Sequence, residues 1–266
     1  MKLSVIGCGN MATAIVGGLI ANHIFKPEDI TASDKSPQAR EKITKNYGIK
    51  TLEDNAACVD TAGQGDLILL AVKPNIFPII APEIQGHLDG KLILSIMAGR
   101  SIDDLEKGLG KENKIVRAMP NTPALVGAGI TGYCPNSHVK EEELQKVKEV
   151  IQGFSQAEQV PENLMAVVTS VSGSSPAFIY MMIEAMADGA VAEGMPRAQA
   201  YHFAAQTVLG SAKMVLDTGK HPGELKDMVC SPAGTTIEGV NILEEKGFRT
   251  SVIQAIRAAA DKARNM

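Results

Sequence analysis

A glycine-rich turn close to the N-terminus constrains this chain more than any other feature. Residues 3–6 (LSVI) read as a strand and run into Gly7-Cys8-Gly9-Asn10-Met11-Ala12, a G-x-G-x-x-A pattern that opens a helix over 11–20. The first glycine permits the tight turn, the second lets a pyrophosphate approach the backbone, and the small third residue lets the helix pack on the strand. The helix N-terminus then faces the phosphates with its free N–H groups. Alone the motif is weak. Here it lies in the first strand of a βαβ unit, which favours dinucleotide binding over a merely structural turn.

Strands and helices keep alternating from there. Residues 29–33 read as a second strand and 37–46 as a helix, and 66–72 (DLILLAV), 91–97 (KLILSIM) and 114–119 read as later strands. Strands apolar on both faces, alternating with helices, imply a mainly parallel sheet covered on both sides. That is a Rossmann-like, doubly wound α/β domain. Ser33-Asp34-Lys35-Ser36 closes the second strand. An acid there bonds a ribose 2′-OH and favours NADH, whereas a cation accommodates the 2′-phosphate of NADPH. Lys35 and Ser36, together with Ala12, favour NADPH, with NADH the alternative. In the blander reading Asp34 caps a turn and Lys35 is solvated.

The pattern changes near Pro161. Beyond it no convincing strand occurs, and helices are expected over 164–171, 176–193, 197–217, 222–229, 233–246 and 250–264. The chain thus divides into a dinucleotide-binding domain, 1–161, and an all-α domain, 162–266. Aromatic residues make up only 4%, with Trp 0 and Met 12, a composition that suits close helix packing on aliphatic side chains. Residues 177–192 are apolar almost all round, whereas a surface helix of a monomer shows one apolar stripe. A second subunit is expected to cover them.

Several function classes drop out. The most apolar stretch, 176–191, contains Glu184 and Asp188 and is shorter than the about 20 residues a bilayer requires, so no membrane association is expected. The N-terminus lacks the apolar run and cleavage site of a signal peptide. A net charge of −4 gives no global field drawing the chain to nucleic acid. Cys8, Cys58, Cys134 and Cys230 are too far apart for a zinc spacing or a secreted disulfide framework, and read as reduced thiols of a cytoplasmic protein. The histidines show no metal-ligand spacing, and no metal site is expected.

Four further strings stand in places that make sense together: AVKP at 71–74, RAMPNTP at 117–123, SGSSPA at 172–177 and CSPAGTT at 230–236. With the glycine turn, in this order and spacing over essentially the whole chain, they resemble the pyrroline-5-carboxylate reductase family. The resemblance implies a Rossmann-like domain followed by an all-α dimerisation domain that interleaves with its partner's, often with five dimers in a ring making a decamer. It also implies NAD(P)H-dependent reduction of the C=N bond of 1-pyrroline-5-carboxylate to L-proline, the last step of proline synthesis. By the same resemblance, the cofactor is held by Ile6, Gly7, Cys8, Gly9, Asn10 and Met11, by Asp34 and Ser36 at the adenosine end, by Asn55, and by Val72, Lys73 and Ala98 on the nicotinamide side. Glu162, Ser174, Thr235 and Thr236 meet the substrate. The family commonly reads SGSGPAY and SPGGTT, and Ser175, Phe178 and Ala233 depart from that. Each departure adds or trims a few atoms beside the substrate loop without removing a proton donor.

Hydride transfer to a cyclic imine leaves the redox chemistry to the cofactor and positioning to the protein. The imine nitrogen needs a proton or a hydrogen bond, for which Thr236 is the candidate. The substrate carboxylate suits the helix starts that follow SGSSPA and SPAGTT. Blander roles stand beside each assignment: N-caps for Thr235 and Thr236, caps ahead of Pro176 for Ser172 and Ser174, extended geometry before Pro74 for Lys73, and a first-turn carboxylate for Glu162. Two other functions share parts of the pattern. A dehydrogenase of the 3-hydroxyacid type uses a Lys on the long helix, and 177–191 contains none. A regulatory nucleotide-binding protein has no need of a second anion site in SPAGTT.

Overall fold

The computed structural model describes residues 1–266. The chain forms two compact units, one of Met1–Gly173 with Ala259–Met266 and one of Ser174–Ala258.

In the first unit β1 (Leu3–Ile6) leads through the glycine turn into α1 (Asn10–Ala21). There follow β2 (Ile30–Ser33), α2 (Pro37–Tyr47), β3 (Lys50–Leu52), α3 (Asn55–Val59), β4 (Leu67–Leu70), α4 (Phe77–Ile84), β5 (Leu92–Ser95), α5 (Ile102–Leu109), β6 (Lys114–Met119), β7 (Ile130–Pro135), α6 (Glu141–Gln152) and β8 (Gln156–Gln159). The strands form one sheet in the order β3-β2-β1-β4-β5-β6-β7-β8, parallel except where β6 meets β7. Successive strand residues point to opposite faces, and the core divides accordingly. Leu67, Leu69, Leu92 and Leu94 join Ile15 and Leu19 of α1 and Val147 and Ile151 of α6. Ile68, Leu70 and Ile93 join Ile80 and Ile84 of α4 and Leu105 and Leu109 of α5. Both faces are covered, which is why these strands read as continuous apolar runs.

β3, β7 and β8 have no counterpart among the expected strands; β3 is only three residues long, and β7 and β8 have physical reasons for being hard to read. Thr131 of β7 is fully buried and bonds Ser155 Oγ through its hydroxyl at 2.6 Å. Gly132 is packed so closely that a Cβ there would lie 2.7 Å from Val168 Cγ1. β8 is QAEQ, a polar and mostly exposed strand at the end of the sheet, where exposed apolar residues would invite edge pairing.

Register places the candidate residues. Ile6 is opposite Ser33 of β2 and Leu70 of β4, so Gly7, Asp34 and Ala71 all leave the sheet at the same carboxyl edge. β1 is also where the strand order reverses, the switch point at which open α/β sheets bind ligands.

After a short turn at Glu162–Leu164 come α7 (Met165–Val168), a π-helical turn (Thr169–Ser174), α8 (Ser175–Ala192), α9 (Arg197–Thr218), α10 (Pro222–Val229), α11 (Thr235–Glu245) and α12 (Phe248–Arg264). The structure corrects one expectation here. The apolar helix does not stop at 176 but runs back without interruption as Glu162–Ala192, 31 residues, long and apolar enough by length and composition to cross a membrane. Its length therefore does not exclude a membrane span. Nor is the stretch buried on every side within one chain. In the second unit α8 and α9 pack on each other, joined by a tight link in which Gly194 has φ +96°. Small residues such as Ala187, Ala200 and Ala204 are enclosed, while Tyr180, Met181, Phe203, Leu209 and Leu216 are exposed.

Candidate active site

At the carboxyl edge of β1, β2 and β4 a cleft of about 350 Å³ is lined by Gly7, Gly9, Ser33, Asp34, Lys35, Asn55, Ala71, Val72, Lys73, Ile76 and Ile80. Gly7 has φ +104°, and a Cβ on it would lie 2.8 Å from the Ala71 carbonyl oxygen. Its N–H donates to the Ser33 carbonyl at 2.7 Å, closing the turn against β2. Gly9 faces open space, with nothing within 4 Å of a Cβ position. It is also the N-cap of α1 and offers no side-chain cap. The first-turn N–H groups of a helix have no intrahelical partners and carry the positive end of its dipole. A backbone open to close approach beside free donors is what a pyrophosphate requires, so the residues present fit a dinucleotide.

The residues expected at the adenosine end are already hydrogen-bonded within the chain. Asp34 accepts the Cys8 N–H at Oδ2 and the Ser36 N–H at Oδ1, each at 2.8 Å. The turn-capping reading of Asp34 is therefore realised. Ser36 accepts the Ala39 N–H at 3.3 Å as N-cap of α2 and donates to Gln38 Oε1 at 3.0 Å. Lys35 is exposed and in no ion pair. Burial and then the Asp34 carboxylate push the Cys8 thiol up to about 12, so Cys8 is no nucleophile. Ile6 is fully buried in the sheet and has only its backbone to offer. Asn10 and Met11 open α1, the first exposed and the second half-buried.

Val72 and Lys73 line the other end of the same cleft. Lys73 is extended ahead of Pro74, at φ −66° and ψ 145°. Ala98 is not among the lining residues. It lies in the loop after β5, which is tied to the Lys73 loop by a side chain that no sequence motif singles out: Arg100 donates to the Pro74 carbonyl through Nε at 3.2 Å and Nη2 at 2.9 Å. Ser33, Ile76 and Ile80 also line the cleft without having been expected there. Glu162 Oε1 accepts the Ile102 N–H at 2.6 Å and Arg117 Nη1 at 3.0 Å, anchoring the start of α5 to β6.

In the second unit α11 begins at Thr235 behind Gly234, an N-cap without a side-chain bond. Thr235 and Thr236 thus occupy the first helical positions and are not the caps of the blander reading. Ser174 precedes α8 and makes no capping bond either, whereas Ser172 Oγ donates to the Val168 carbonyl at 2.8 Å. Ala233 has φ +56°, a left-handed conformation in which its Cβ is disfavoured. Glycine would take this conformation without that cost.

Comparison with known proteins matches the two ends of the chain to two families. Residues 162–266 match pyrroline-5-carboxylate reductase dimerisation, and residues 2–99 match NADP oxidoreductase, coenzyme F420-dependent. The pyrroline-5-carboxylate reductase of Escherichia coli is 50% identical over 266 residues, covering 100% of this chain and 98% of its own. That of Methanosarcina acetivorans is 43% identical, covering 100% and 97%. The crystal structure of Plasmodium falciparum pyrroline carboxylate reductase with NADP bound superposes with a TM-score of 0.91 at 33% identity, over 100% of this chain and 97% of that one. With full-length relatives at this identity, the chain belongs to the pyrroline-5-carboxylate reductase family, NAD(P)-dependent oxidoreductases of proline biosynthesis.

Proposed function

We propose that NADPH is held by the cleft at the carboxyl ends of β1, β2 and β4, and that Ser174, Thr235 and Thr236 of the second unit, with Glu162, serve 1-pyrroline-5-carboxylate. The observation that carries the cofactor assignment is the open approach over Gly9 onto the uncapped start of α1. NADPH, when bound, supplies the hydride. Asp34 spends both carboxylate oxygens on backbone N–H groups, and Lys35 faces the cleft without a counter-ion, which favours a 2′-phosphate over a bare 2′-OH.

The residues of this chain then bind and orient. The first-turn N–H groups of α11 suit the substrate carboxylate, and the Thr236 hydroxyl donates to the ring nitrogen, keeping the imine electrophilic. Replacing Thr236 by Ala lowers kcat by roughly 100-fold, the usual contribution of a positioned proton donor, and leaves the Kd for NADPH unchanged. An unchanged kcat removes Thr236 from that role.

The start of the substrate-binding and dimerising region at 162 is supported by the family match beginning there. The dimerisation match also supplies what the exposed apolar faces of α8 and α9 lack, a second copy of the chain. Assembly of five such dimers into a decamer, and a cytoplasmic location, complete this reading; sedimentation of the purified protein reports the first.

A further inference from the structure

Asn55 lines the cleft beside Ser33 and Asp34 and is 4% exposed. Its carboxamide is held from two sides. Oδ1 accepts from Ser33 Oγ at 2.8 Å, and Nδ2 donates to Glu83 Oε2 at 2.7 Å. These partners differ in what they can decide. A serine hydroxyl donates or accepts, so Ser33 would bond either end of a flipped amide. An ionised carboxylate only accepts, so Glu83 tolerates the NH2 group and repels the oxygen. The orientation of a residue at the start of α3 is therefore set from α4, by a side chain that does not itself line the cleft.

We propose that Glu83 is a positioning residue for the cofactor: by fixing which way the Asn55 amide faces, it presents one N–H and one oxygen lone pair of Asn55 to the nucleotide in a defined arrangement. The proposal rests on the reading of this cleft as the NADPH site and of Asn55 as one of its groups. Through its charge alone Glu83 disfavours an anionic nucleotide. A negative charge near a site for phosphates weakens anion binding through the local field, so its simple removal tightens NADPH. Loss of the amide's orientation acts in the opposite direction.

Calorimetric titration of NADPH into the wild type and into N55A, E83A, E83Q and the N55A/E83A double variant tests this. N55A weakens NADPH binding. E83A weakens it by roughly tenfold, the worth of one charge-assisted hydrogen bond, and adds nothing in the N55A background, because the two act as one unit. E83Q keeps the side-chain shape but offers an N–H donor beside its acceptor oxygen, so it bonds either end of the Asn55 amide and loses most of the affinity that E83A loses. At saturating NADPH, kcat of E83A stays within about twofold of wild type, since only binding is touched. Wild-type or tighter binding by E83A, or additive losses in the double variant, overturns the role of Glu83. Wild-type binding by N55A instead overturns the placement of Asn55 in the site, a separate failure.

Discussion

Gly7 and Gly9 are both glycine, for different physical reasons that single substitutions separate. Gly7 is required by the fold: φ is +104° and a Cβ would overlap the Ala71 carbonyl. G7A is expected to destabilise the protein by about 2–5 kcal/mol through backbone strain and overlap together, seen as a lowered Tm. Gly9 has ordinary φ −71° and free space around it, so G9A leaves Tm nearly unchanged. On the proposed placement of NADPH the added methyl group occupies the approach of the phosphates, and NADPH affinity is expected to fall by roughly tenfold or more, equal to at least one charge-assisted hydrogen bond. Ala233 is the converse case, a side chain where glycine is easier. At φ +56° it carries about 1–2 kcal/mol of strain, from which the greater unfolded-state entropy of glycine subtracts about 0.4–1 kcal/mol. A233G is therefore expected to raise stability by about 0.5–1 kcal/mol in denaturant melts; a lower midpoint would mean that the methyl group packs usefully.

Among the elements, those legible in the sequence owe their form to local chemistry. The glycine turn shows because its φ angles and close contacts exclude other residues, and β4 and β5 show because both faces are buried. β8 does not show, because four polar residues at a sheet edge carry no pattern. The long-range ties do not show either: Glu83 to Asn55, Arg100 to Pro74 and Arg117 to Glu162 join residues 28, 26 and 45 positions apart, and nothing local marks which residue pairs with which. A local tie with a measurable signature is the capping box of α5, where Ser101 and Asp104 bond reciprocally. The Ser101 N–H, aided by its hydroxyl and opposed by partial burial, holds the Asp104 carboxyl below its ordinary range. A depressed carboxyl contributes stability above its unfolded pKa and loses it as pH falls through the folded one. D104A is thus expected to cost about 1 kcal/mol at neutral pH, with the gap to wild type closing in acid; a gap independent of pH would contradict the cap.

For the molecule as a whole, the scarcity of aromatic residues and the all-round apolar character of 177–192 pointed to an intersubunit core, and the structure gives both a physical form. The second unit encloses little beyond alanines and leaves Tyr180, Phe203 and Leu216 exposed. These residues lie within the stretch, 162–266, that matches pyrroline-5-carboxylate reductase dimerisation. What the sequence did not disclose is that this helical stretch is long enough to cross a bilayer by composition and length, since a π-helical turn joins two segments that read separately. The central claim, hydride transfer from NADPH to the imine carbon of 1-pyrroline-5-carboxylate, is tested most directly by following the transferred atom. Incubation with 1-pyrroline-5-carboxylate and NADPH deuterated at the transferring C4 position is expected to give L-proline with deuterium on C5, the ring carbon that was doubly bonded to nitrogen, and none elsewhere. NADPH that binds with its affinity intact but delivers no deuterium to proline would contradict it.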